Sequence, residues 1–135
     1  MNISESLDQI LESKELFGKA FYEYFLLNNP SVVPYFEGVD MARQELVLTM
    51  ALSTIVQHSV KDHAAIDHYM RHLGTRHNRW KIPPDTYPLW CDAMLVTLKK
   101  MLGDHWSDEL AAEWRAALEK ASHTLLKGYD RHVGI

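Results

Sequence analysis

Apolar residues recur at steps of three and four through most of the chain, and no segment alternates with a period of two. The pattern predicts helices and no strands. Leu7, Ile10 and Leu11 form the apolar face of a first helix, with Ser4 or Ser6 as its expected N-cap. Phe17, Phe21, Tyr24 and Phe25 mark a second helix, stopped by Asn28-Asn29-Pro30. Val32 to Phe36 is too short for a free helix and reads as a helical turn leading to a loop at Glu37-Gly38. From Val39 to about Val60 the stripe is Leu48, Ala51, Leu52 and Ile55. After the charged break Lys61-Asp62-His63, Ile66, Met70 and Leu73 define the next helix. Ile82-Pro83-Pro84-Asp85 is a loop feeding a long helix that Gly103 ends. Ser107 begins the last helix, with Asp108 and Glu109 in its first turn, where negative charge is favoured. Leu110, Trp114, Ala117, Leu118, Ala121 and Leu125 run down one face of that helix, and its end is expected just before Asp130. The expected fold is all-α, with about six substantial helices and one short one packed obliquely around an interior pocket.

At 135 residues the chain is expected to form a single domain over 1–135. With 47% apolar and 24% charged residues it can build a real core, which excludes a disordered class. A lone cysteine, Cys91, cannot form an internal disulfide framework and suits a reducing compartment. A net charge of −4 argues against general nucleic-acid binding. Leu46 to Val60, the longest stretch without a formal charge, is shorter than the roughly 18 apolar residues of a membrane span. The first residues carry Glu5, Asp8 and Glu12 where a secretory leader would be cationic, so the expected address is the cytoplasm.

Eight histidines are the main chemical anomaly. His68 and His72, four apart, could chelate a metal from one helix face, but they share that face with charged neighbours and read as solvated. His77 differs, because Ile66, Met70, Leu73 and His77 step by four, three and four and put its imidazole on the apolar face. Such a placement is either a core histidine with a hydrogen-bond partner or a neutral ligand for a metal or haem iron. Gln44 heads the Leu48 stripe, as a solvated first-turn residue or as an amide donor aimed into a pocket. Tyr22, beside Phe21, is either an interior tyrosine whose hydroxyl reaches the surface or a second polar group in that pocket.

Taken in order, these residues resemble a known family. Phe21-Tyr22, Pro30-x3-Pro34-Tyr35-Phe36, Val39-Asp40-Met41-x2-Gln44, Leu73-Gly74-Thr75-Arg76-His77 and Ile82-Pro83-Pro84-x2-Tyr87-Pro88, with Trp114 in the last helix, are similar to bacterial single-domain globins. That lineage includes the haem domains of flavohaemoglobins and globin-coupled sensors. The resemblance covers nearly the whole chain. It implies haem b held by His77 as the iron ligand, with Phe36 packed on the porphyrin face. Leu48, Leu73, Ile82 and Tyr87 would line the cofactor, and Tyr22 and Gln44 would meet the gas on the distal side. Two positions depart from the family pattern. Tyr129 stands where flavohaemoglobins carry a glutamate, which weakens the case for peroxidase-like or dioxygenase chemistry. Trp90, a turn after Tyr87, replaces a smaller aliphatic residue; it would crowd the distal pocket and add an N–H donor, or simply fill the core.

The function this implies is reversible binding of O2, and of CO and NO, for transport or scavenging. The alternatives are a nitric oxide dioxygenase or nitrite reductase served by a separate reductase, and a haem gas sensor acting through a protein contact.

Overall fold

The computed structural model describes residues 1–133 and contains six α-helices and two short 3₁₀ segments among them. Helix α1 spans Ile3–Glu12, α2 Lys14–Asn28, α3 Met41–Val60, α4 Ala64–Arg79, α5 Thr86–Leu102 and α6 Asp108–Val133. The 3₁₀ segments are Pro30–Phe36 and Gly103–His105. The expected helical turn is thus a 3₁₀ segment entered through Pro30. Helix α6 runs past its expected end before Asp130, as far as Val133. None of the helices is long and apolar enough to cross a membrane.

Helix ends follow local chemistry, with one correction. Neither Ser4 nor Ser6 caps α1. Asn2 does, accepting from the Glu5 amide at 2.8 Å while the Glu5 carboxylate accepts from the Asn2 amide at 3.0 Å. Ser6 instead turns into the core, donating to the Ile3 carbonyl at 2.7 Å and accepting from the Trp114 indole N–H at 2.9 Å. Asp40 caps α3, which therefore starts at Met41 and not at Val39, and the Ser107 hydroxyl accepts from the Leu110 amide at 3.1 Å to cap α6.

Helix α2 packs against both α3 and α5, so its apolar surface is broad; Phe17, Phe21, Phe25 and Tyr22 are all buried, while Tyr24 faces out. Gly18 marks the α2–α3 crossing, where an added Cβ would sit 2.7 Å from the Glu45 Cβ. Leu52, Met94, Leu98, Leu110, Trp114 and Leu118 complete the core from α3, α5 and α6. Helix α4 is placed differently. It lies along α6 and touches α3 only lightly. Gly74 and Gly128 make that seat, because a Cβ on Gly74 would overlap the Leu125 carbonyl oxygen and one on Gly128 the Arg71 carbonyl oxygen. Thr75 pins the crossing with a 2.9 Å hydrogen bond to the Gly128 carbonyl.

Gly74→Ala or Gly128→Ala is expected to lower stability by about 3 kcal/mol, since backbone atoms cannot yield as side chains do. Gly38→Ala, with φ +75° but open space, should lose only about 1 kcal/mol. Urea midpoints at constant slope would check the contrast.

Candidate functional site

Two polar clusters stand in otherwise apolar walls. The first joins α2 to the start of α3. Tyr22 is buried, with its ring edge-on to Phe21 (5.0 Å between centroids) and to Phe36 (5.4 Å). The Gln44 amide, half-buried in the first turn of α3, donates to the Tyr22 hydroxyl at 3.0 Å. The Tyr22 proton itself has no acceptor among the described residues. Burial pushes the Tyr22 hydroxyl up to about 12, against a lowering by the Gln44 bond, so it stays a neutral donor. Trp90 of α5 lies behind Phe21, 5.9 Å between centroids.

The second cluster gathers around the end of α4. After Arg79 the chain reverses through Trp80 and Lys81, whose φ of +61° is the left-handed conformation such a reversal uses. The reversal lets the Ile82 amide donate back to the His77 carbonyl at 3.1 Å. His77 Nδ1 is 2.9 Å from the Tyr87 hydroxyl, which is 3.2 Å from the Tyr129 hydroxyl. Tyr129 in turn donates to the Ile82 carbonyl at 2.7 Å. His77 Nε2 has no protein partner among the described residues.

Tyr22, Gln44 and Phe36 are thus brought together, with Trp90 one ring away, and His77, Tyr87 and Ile82 form the other group. Leu48 is buried in the core, and Leu73 is half-buried one turn before His77. His68 and His72 are solvent-exposed, in line with their reading as solvated. One participant has a different role from the one the resemblance implied. Tyr129 was placed by resemblance as a missing acid, yet it is an active hydrogen-bonding member, and its spacing of four from Leu125 put it on the inner stripe. His58, three residues after Ile55, continues the α3 stripe into the core, where its Nε2 meets the Thr124 hydroxyl at 3.2 Å.

The donor set bears on what could bind. Among the described residues no three His, Cys, Asp or Glu side chains are grouped to hold a bare metal ion. A single imidazole with a free Nε2, one turn after half-buried Leu73 and beside the Trp80 and Tyr87 rings, fits a metal whose other positions are filled by its own flat apolar macrocycle. Haem fits these residues.

Comparison with known proteins agrees. The family model described as Globin matches residues 19–125. The chain is 25% identical over 112 residues to a flavohemoprotein of Halalkalibacterium halodurans, covering 82% of this chain and 27% of that protein. It is 26% identical over 104 residues to leghemoglobin-1 of Lupinus luteus, covering 77% of this chain and 68% of that one. It spans under a third of the length of the flavohemoproteins it matches. A solved structure from Pseudomonas aeruginosa PAO1, described as structurally highly homologous to a human hemoglobin, superposes with a TM-score of 0.77 at 25% identity. That likeness covers 92% of this chain and 98% of the other.

Electrostatically the His77 cluster is neutral. Burial, then the nearby Arg76 charge, holds the His77 imidazole down at about 4, and burial raises the Tyr87 and Tyr129 hydroxyls. A histidine whose pKa is lower folded than unfolded binds fewer protons in the native state, so its stability contribution is complete above the unfolded value and is lost as pH falls. Haem-free protein should therefore weaken between about pH 6.5 and 4, with His58, also lowered chiefly by burial, adding to the slope. His77→Leu should flatten that slope in part, read as urea midpoints across the window; an unaltered slope would assign it to other groups.

Proposed function

The chain belongs to the globin family, and on that footing we propose that it binds haem b through His77 Nε2 and takes up dioxygen reversibly on the side of Tyr22 and Gln44. The observation that carries this reading is the Gln44–Tyr22 bond. Because the Gln44 amide donates to the Tyr22 oxygen, that hydroxyl spends an acceptor site there and keeps its own proton for a ligand. When bound, haem supplies a ferrous iron with one position open to a diatomic gas. The protein supplies the rest. His77 presents a neutral nitrogen, as ligation requires, and Phe36 offers a flat apolar surface beside Tyr22. A donor in a dry wall favours a ligand that gains negative charge on binding, as dioxygen does, over carbon monoxide, which gains little.

Gas binding for transport or scavenging is the reading these residues support best. Turnover of nitric oxide or nitrite is the second reading. It draws on the similarity to flavohemoproteins and requires electrons from a separate reductase. The neutral tyrosines beside His77, with no carboxylate bonded to them among the described residues, favour the first.

Hemin added to the purified protein should give a Soret band that titrates to one equivalent. His77→Gly should lose it, or regain it with added imidazole. A hydrogen bond to a charged acceptor is worth about 1.5–3 kcal/mol, and about 1.4 kcal/mol is tenfold. Tyr22→Phe should therefore speed oxygen release at least about tenfold in flash photolysis or stopped flow and leave carbon monoxide release nearly unchanged. Equal oxygen rates in the two proteins would remove Tyr22 from the role.

A further inference from the structure

We propose that Tyr129 is a positioning residue that sets the tautomer of His77, acting through Tyr87 and anchored on the Ile82 carbonyl. The inference follows from counting protons along the cluster. A carbonyl oxygen can only accept, so at 2.7 Å from Ile82 O the single Tyr129 proton is committed there. The Tyr129 oxygen then accepts across the 3.2 Å gap, and the single Tyr87 proton is committed to it. The Tyr87 oxygen, 2.9 Å from His77 Nδ1, is left with lone pairs only and must receive the proton from the ring. One backbone carbonyl thus dictates Nδ1–H on His77, and Nε2 carries the lone pair. The circuit closes on itself, because the Ile82 amide is bonded to the His77 carbonyl. It draws one member from α4, one from α5 and one from α6, so the ring is oriented as well as protonated.

The terminal acceptor is neutral. A carboxylate at that end would pull the Nδ1 proton and make the imidazole a stronger electron donor; a carbonyl does so only weakly. The circuit therefore holds His77 ready to ligate without giving it imidazolate character.

The proposal deepens the haem reading, but its first readout does not depend on that reading. In the 135-residue chain without added hemin, 15N-detected imidazole spectra, with His77 assigned by its loss in His77→Leu, should show the Nδ1–H tautomer. Tyr129→Phe should convert this to a mixture, because the Tyr87 proton is then free to point at the ring. Tyr87→Phe, which removes the acceptor itself, should do the same and serves where Tyr129→Phe fails to fold. After hemin addition and reduction, the iron–histidine stretch in the Raman spectrum should fall in Tyr129→Phe and rise in Tyr129→Glu. An Nε2–H tautomer in the parent chain, or a tautomer and a stretch both unmoved by Tyr129→Phe, would overturn the proposal. Failure to take up hemin while the tautomer shifts as expected would overturn only the haem reading.

Discussion

Helix α4 rests on α6 backbone against backbone, and the His77 side of the site inherits that contact. With glycine on both sides of the crossing, the helices approach more closely than any pair of side chains would permit. The energy of α4 packing is spent on α6, and α3 is left lightly touched. Leu73 and His77 of α4 stay half-buried, with α3 only lightly against that helix. The same contact brings Tyr129, one residue beyond Gly128, beside the end of α4 and into reach of Tyr87 and Ile82.

Each polar cluster is neutral at physiological pH and each is internally satisfied but for one atom. Gln44 pairs with Tyr22 and leaves a proton over; His77, Tyr87 and Tyr129 pair with one another and leave a lone pair over. Buried polar groups without partners destabilise a fold. Within these two clusters that penalty falls on one donor and one acceptor, where a bound ligand would relieve it; elsewhere the buried His58 Nδ1 also lacks a partner.

The helices, their order and most of their ends were legible in the sequence because each buries one face, and a buried face leaves a period of three to four. His77 could be singled out for the same reason: a titratable ring on an apolar stripe stands out. Capping of α1 was misassigned because three polar residues, Asn2, Ser4 and Ser6, compete within one turn. Only the tertiary position of Trp114 shows that Ser6 is engaged elsewhere. Tyr24 belonged to the periodic run of α2, yet a helix packed on two sides has no single face for a pattern to mark. The stripe through Leu125 places Tyr129 inside, but its bonds lay beyond pattern reasoning because its partners are 42 and 47 residues away in sequence, and the direction of a hydroxyl proton is a property of the whole chain of bonds.

The tie between Ser6 and Trp114 spans 108 residues and has a bearing on how the domain is assembled. Synthesis proceeds from the first helix to the last. The indole that steadies α1, the glycine that seats α4 and the tyrosine that closes the circuit around His77 all reside on α6, the last of these helices to leave the ribosome. Helices α1, α2, α3 and α5 can pack on one another before α6 emerges, but α4, which leans on α6, cannot find its seat. Steadying α1, seating α4 and closing the circuit around His77 therefore all wait for α6.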